Sequence, residues 1–264
     1  MTNVRFLEGK CVALMRSLEQ GSESLWIFEQ AGAEVLLVPT IKVVPPESYD
    51  EFDSAAARFE DFRYLIFTSV NAVKMTAQRF RELGVEKRHE KLKVVAVGSK
   101  TAQACIECGF PVNIVPQFFS AKGVIERLKN EVIPGKEFFI PASAIAGVEI
   151  RDRLIMEGGK VVQTPVYDVD LPDENINRDS RELLELKHPE IFVFTSPSTF
   201  RNFVRIFVEG SCTDYFENKV VAAIGPSTAK EISGYGVNVS LVPEEFTLEG
   251  VLRALYEFFS KERH

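Results

Sequence analysis

Short runs of consecutive apolar residues alternate along this chain with segments whose apolar positions recur every three or four residues. In the first half, "CVALM", "AEVLLVP", "RYLIFT", "KVVAVG" and "VNIVP" read as strands. Between and after them, Ser22 to Ala31, Tyr49 to Phe59, Asn71 to Leu83, Thr101 to Cys108 and Ala121 to Asn130 carry the helical period. Strands made almost entirely of Val, Ile, Leu and Phe, separated by helices, predict a parallel sheet buried on both faces. In an open sheet of that kind, ligands bind beyond the carboxyl ends of the strands.

The pattern repeats. An offset of 127 places Phe67-Thr68-Ser69 on Phe194-Thr195-Ser196 and Gly98, Thr101 and Ala102 on Gly225, Thr228 and Ala229. The same offset takes Gly109 to Gly236, Val115-Pro116 to Val242-Pro243 and Gly123-Val124 to Gly250-Val251. Upstream, an offset of 126 aligns Gly9-Lys10 with Gly135-Lys136, Gly32 with Gly158, Val35 with Val161 and Pro39 with Pro165. A match this long with one insertion argues for an internal duplication, and a chain of 264 residues accommodates two units of ordinary domain size.

The turns that follow the predicted strands hold the candidate chemistry. In "FVFTSPSTF", Ser196 suits a helix N-cap and Pro197 the first helical position, where its missing N–H costs nothing. Ser198, Thr199 and Phe200 would then turn backbone N–H groups out of the helix start, making an anion site with no cationic side chain. "IGPSTAK" repeats this with Gly225, Pro226, Ser227 and Thr228, and the first half supplies Ser69-Val70-Asn71 and Gly98-Ser99-Lys100-Thr101. Capping alone accounts for any single turn of this type. Four of them at strand carboxyl ends favour a ligand with several carboxylates or phosphates. No Walker motif or G-x-G-x-x-G is present, which disfavours a nucleotide.

Composition narrows the classes further. Net charge is −7, so no basic field exists to draw nucleic acid or an anionic membrane. "MTNVRFLEGKCVALM" has no apolar h-region and no apolar run approaches a membrane span, so neither a secretory signal nor a membrane segment is expected. Four cysteines in a chain of this size fit a reducing, cytoplasmic setting. Cys105 and Cys108 have redox or metal spacing but lie at a helix end, not a start, and read as structural. His89, His188 and His264 are scattered through charged segments, form no metal or triad constellation and read as solvated. Hence no metal and no cofactor is expected. The 21 phenylalanines read as core filling, and "LRALYEFFSKERH" as an amphipathic helix docked on the sheet. Arg16, at the end of the first strand, faces a ligand or the solvent, and Tyr167, after Pro165 in "VVQTPVYDV", either meets a ligand through its hydroxyl or packs as a rim aromatic between domains.

These features, in this order and spacing, resemble the uroporphyrinogen-III synthase family along nearly the whole chain. The matching stretches include "IFTSVNAV", "VAVGSKTA", "VVQTPVYDV", "FVFTSPSTFRNF" and "AAIGPSTAKEISGYGV". The resemblance implies an α/β fold of two Rossmann-like parallel-sheet domains joined by a two-strand extended linker, with the active site in the interdomain cleft. It places one discontinuous domain at 1–38 plus 173–264, the other at 47–163, and the linker strands at 39–46 and 164–172. It further implies cofactor-free closure of the linear tetrapyrrole hydroxymethylbilane, with loss of water and inversion of ring D through a spiro intermediate. By the same resemblance, Tyr167 assists loss of the hydroxyl. Arg16, Ser69, Asn71, Ser99, Thr101, Ser143, Ser196, Ser198, Ser227 and Thr228 are expected to contact substrate. The expected partner is that small molecule alone, for a monomer acting without nucleic acid or membrane. A cofactor-free binding protein for a small polycarboxylate is the alternative. The chain also departs from the family pattern. "IPASAIAGVE" stands where an arginine-containing "LPRG…AR" segment is usual, with Ala142 and Gly147 in the arginine positions, and Asp168 replaces the arginine after the tyrosine.

Overall fold

A computed structural model describes residues 5–16, 25–118, 120–131 and 133–261 of the chain. The described residues divide into two compact units, Met1–Lys42 with Asp170–His264, and Val43–Val169.

In the first unit, strands β1 (Cys11–Met15), β2 (Glu34–Leu37), β9 (Ile191–Phe194) and β10 (Val220–Ala223) form a four-stranded sheet in the order β10-β9-β1-β2. Every pairing in it is parallel. The sheet of the second unit adds β3 (Lys42–Val44), β4 (Tyr64–Phe67), β5 (Lys93–Ala96), β6 (Val112–Ile114), β7 (Glu137–Ser143) and β8 (Lys160–Asp170) in the order β3-β8-β7-β4-β5-β6. Strands β4 to β8 pair in parallel.

Parallel neighbours need crossover connections, and the helices that provide them cover both faces. Successive strand residues therefore enter different cores. Leu65, Phe67 and Phe139 pack with Phe52, Phe62 and Phe80 on one face of the second unit. Tyr64, Ile66, Phe138 and Ile140 pack with Val124, Leu128 and Leu154 on the other. In the first unit Ala13, Met15, Phe192 and Phe194 meet Phe200 and Phe203, while Val12, Leu14, Ile191 and Val193 meet Val251 and Leu255. The aromatic load does fill core: Phe139 lies 5.1 Å from Phe62 in a stacked pair and 5.6 Å from Phe52.

The offsets found in the sequence carry one half's elements onto the other's. Strands Tyr64–Phe67 and Lys93–Ala96 map onto Ile191–Phe194 and Val220–Ala223, and helix Ser99–Glu107 onto Pro226–Gly234. With β7 and β8 mapped on β1 and β2, the order β10-β9-β1-β2 in one unit matches β5-β4-β7-β8 in the other. Each sheet thus combines strands from both halves of the sequence.

Element ends follow local chemistry. Helix Val70–Leu83 stops at Gly84 in the left-handed conformation (φ 69°), where glycine has no Cβ to strain. The expected helices at Tyr49–Phe59 and Ala121–Asn130 are shorter, Asp50–Ala57 and Ala121–Leu128, each followed by a 3₁₀ turn. Residues 22–24 of the helix expected from Ser22 lie outside the described residues, and 25–30 is helical. Helix Leu248–Lys261 buries Leu248, Val251, Leu255 and Phe259 against the first unit's sheet, and His264 lies outside the described residues. His89 corrects the reading of a solvated side chain. Its ring packs perpendicular to Phe59 at 5.6 Å, and its buried Nε2 has no hydrogen-bond partner among the described residues.

Candidate functional site

All strands of a parallel sheet end on one edge, so each unit gathers its post-strand turns there. The candidate residues separate accordingly into Ser69, Asn71, Ser99, Thr101, Ser143 and Tyr167 in the second unit, and Arg16, Ser196, Ser198, Ser227 and Thr228 in the first.

In the second unit three of them converge. Ser143 ends β7, and the β7–β8 register slips between Ala142 and Ser143, so that Ser143 stands opposite Tyr167 and not Val166. A bulge of this kind re-aims the side chains beyond it. The Ala144 N–H donates to the Tyr167 carbonyl at 2.9 Å, fixing the two strand ends together. The Tyr167 ring is buried (7% exposed) within the core cluster of Phe67 and Phe139. Its hydroxyl lies 3.2 Å from Ser69 Oγ, and either group can donate. Ser69 in turn caps helix Val70–Leu83 by accepting from the Ala72 N–H at 3.1 Å. One hydroxyl therefore serves both the helix start and the tyrosine. Asn71 is half-buried in that first turn.

The helix starts differ in how much hydrogen-bonding capacity they leave open. Ser196 caps helix Pro197–Phe207 with Pro197 in the first turn, as the sequence pattern predicts, and a full capping box closes it. Ser196 Oγ accepts from the Thr199 N–H, Thr199 Oγ1 accepts from the Ser196 N–H, both at 3.1 Å, and the Phe200 N–H donates to the Ser196 carbonyl. The expectation that Thr199 and Phe200 would offer free amides is thus corrected, because the serine cap and its own carbonyl take them. Ser198 N–H remains without a partner among the described residues, next to the Ser196–Ser198 hydroxyl pair at 2.9 Å. Glycine caps have no side chain to do this. At Gly98 the amides of Ser99, Lys100 and Thr101 stay unpartnered among the described residues, and at Gly225 those of Ser227 and Thr228 do. Ser99 and Ser227 are exposed at these two starts, whereas the Thr101 and Thr228 side chains are buried (5% and 1% exposed). The glycine-capped starts are the more open anion receivers. Ser196→Ala is expected to lower stability by about 1 kcal/mol through loss of the cap, read as a shifted urea midpoint with unchanged slope.

Arg16 is half-buried directly beyond β1, and Thr195 Oγ1 donates to the Met15 carbonyl at 3.0 Å, tying the ends of β1 and β9. Asp168 Oδ1 accepts from the Val169 N–H at 2.8 Å. Lys100 is a residue that sequence reasoning passes over. It is exposed in the first turn of helix Ser99–Glu107, where the helix dipole disfavours a cation unless an anion sits nearby. The misplaced charge is its signal. Burial pushes the Cys105 thiol up to about 12, with Cys108 adding to the shift, so the thiolate a redox pair or a metal would need is scarce. No group of three or more potential metal-ligating side chains occurs among the described residues.

Fold and site together define a parallel α/β protein of two units, each presenting helix starts suited to anionic groups. A family model described as "Uroporphyrinogen-III synthase HemD" matches residues 24–253. A uroporphyrinogen-III synthase of Synechococcus elongatus is 30% identical over 256 residues, covering 96% of each chain. Among solved structures, uroporphyrinogen-III synthetase from Helicobacter pylori aligns with a TM-score of 0.60 at 18% identity, over 92% of this chain and 97% of that one. A mutant uroporphyrinogen III synthase from Thermus thermophilus aligns with a TM-score of 0.59 at 18% identity, over 96% and 100%. These two likenesses establish the fold. The chain belongs to the uroporphyrinogen-III synthase family.

Proposed function

We propose that this protein cyclises hydroxymethylbilane to uroporphyrinogen III, with loss of water and inversion of ring D, in tetrapyrrole biosynthesis. The observation that carries the reading is the family match across residues 24–253. The geometry supports it, since a substrate with many carboxylates needs several anion receivers on rigid elements. The open amides at Ser99–Thr101 and Ser227–Thr228, with Arg16, Ser69, Asn71, Ser143, Ser196 and Ser198, are the groups we assign to that task. Binding of this kind contributes to rate by holding reacting carbons in one of two competing geometries. The sulfhydryls of Cys11, Cys105, Cys108 and Cys212 are all unpaired, which supports a reducing, cytoplasmic setting. We take the working form to be a monomer, with domain limits near the extended segments 39–46 and 164–172.

The deciding experiment is an isomer-resolved product assay with purified protein and hydroxymethylbilane. Mainly type III product is expected. Type I product at the uncatalysed rate would sink the proposal, and tight binding of a small polycarboxylate without turnover would point to a binding protein instead.

Tyr167 is assigned the loss of the hydroxyl. Tyr167→Phe keeps the buried ring and leaves Ser69 its bond to Ala72, so the fold should change by less than about 1 kcal/mol. Turnover is expected to fall roughly tenfold at saturating substrate, below the range for a full general acid because positioning dominates. An unchanged kcat would remove Tyr167 from the mechanism.

A further inference from the structure

The first unit has a recess at the opposite ends of its strands from Ser196 and Ser227. It is a pocket of about 250 Å³ beside Pro189, two residues before β9, and Lys219, immediately before β10. Four residues at about 3.3 Å rise per residue separate it from the helix starts by roughly 13 Å. Phe192, Phe207 and Leu184 supply buried apolar walls, and Tyr215 closes one side with its ring 6.1 Å from that of Phe192.

Two polar groups that line this recess reach solvent and have no protein partner among the described residues. The half-buried Lys219 ammonium makes no ion pair, and the Tyr215 hydroxyl makes no hydrogen bond, among the described residues. Burial pushes Tyr215 up to about 12, so its hydroxyl stays a donor across the neutral range. Arg181 adds a second positive charge and is held rigidly, donating to the Ile206 carbonyl at 2.6 Å and pairing with Glu209 at 3.2 Å. Glu185, exposed at the rim, is the one carboxylate among the lining residues. The two non-glycine residues with positive φ among the described residues are His188 (46°), in the pocket wall, and Asn218 (58°), beside Lys219. His188 takes this conformation as the C-cap of helix Glu174–Lys187, its N–H donating to the Leu184 carbonyl, and asparagine adopts it readily in turns.

We propose that this pocket binds a small aromatic carboxylate, its ring between Phe192, Phe207 and Leu184, and its carboxylate on Lys219 and Arg181 with a hydrogen bond from Tyr215. The three apolar walls can take a ring, and the Lys219 ammonium and Tyr215 hydroxyl, both open to solvent at the pocket, can receive an anion that accepts hydrogen bonds. The site lies apart from the groups assigned to the bilane and does not depend on that assignment.

Calorimetric titration of the full chain with benzoate tests it. Saturable binding is expected with a dissociation constant in the range of about 0.1 to 1 mM. Benzamide, which lacks the charge, and acetate, which lacks the ring, should each bind at least tenfold more weakly. Lys219→Met should weaken benzoate about tenfold and Tyr215→Phe about threefold, with far-UV circular dichroism and product-isomer ratio as in the parent protein. The proposal is overturned by no saturable binding up to about 10 mM, or by unchanged affinity in both variants. Loss of benzoate binding in Ser99→Asp or Ser227→Asp, with Lys219→Met unaffected, would equally overturn it by placing the anion at the helix starts.

Discussion

Gly250→Ala is expected to lower stability by roughly 3 kcal/mol, although glycine-to-alanine changes inside helices usually stabilise by about 0.5–1 kcal/mol. Gly250 has ordinary helical backbone, in the first turn of Leu248–Lys261, so conformation does not demand glycine. Space does. A Cβ there would drive into the carbonyl oxygen of Glu245 and stand 3.0 Å from its carbon. That carbonyl cannot retreat easily, because it accepts from the Thr247 N–H at 2.7 Å while Thr247 Oγ1 accepts from the Gly250 N–H at 3.0 Å. The loop and the helix start thus interlock, and the helix carries Val251 and Leu255 of the first unit's core. The same device recurs at the equivalent position. A Cβ on Gly123 would strike the Phe118 carbonyl, and Ser120 Oγ accepts from the Gly123 N–H at 3.2 Å. A melting temperature lower by about 5–10 °C for each variant, followed by circular dichroism, is the expected result. Wild-type melting would show that the loop yields.

Gly123 and Gly250 stand out as a matched pair in the sequence, and so do the strands on either side of them. Unbroken runs such as "IFVF" and "YLIF" announce strands buried on both faces, because residues of either parity must be apolar there. The sheet order is not legible that way. Which half's strands pair depends on contacts far apart in the chain, and composition of a fully buried parallel strand is almost indifferent to its neighbour. The candidate site is legible as a set of turns but not in its detail. "TSPST" predicts a cap, yet only coordinates show that Ser196 and Thr199 satisfy one another and close most of that helix start. The bulge that sets Tyr167 opposite Ser143 leaves no mark in the sequence, because one extra residue in a strand changes no residue type.

The contrast between serine-capped and glycine-capped starts leads to the largest expected effect on activity. Ser99→Asp and Ser227→Asp each place a carboxylate in the first turn of a helix whose amides are open. For the fold this is favourable, since a negative charge near a helix N-terminus contributes about 0.3–1 kcal/mol of stability. For a polycarboxylate substrate it is unfavourable twice over. The new side chain competes for the amides, and it repels the incoming charge by about 1–4 kcal/mol at a separation near 4 Å in a partly solvated setting. Catalytic efficiency on hydroxymethylbilane is therefore expected to drop by roughly 10- to 1,000-fold, through KM more than kcat, while melting stays level or rises. Ser196→Asp serves as the internal comparison. Its helix start is already closed by Thr199, and aspartate is itself a good cap, so repulsion acts there without competition for open amides, and a smaller change in KM is expected. Equal losses at all three positions would mean that overall charge, and not the open amides at Gly98 and Gly225, governs recognition. Wild-type KM at both Ser99 and Ser227 would remove the helix starts from substrate binding altogether.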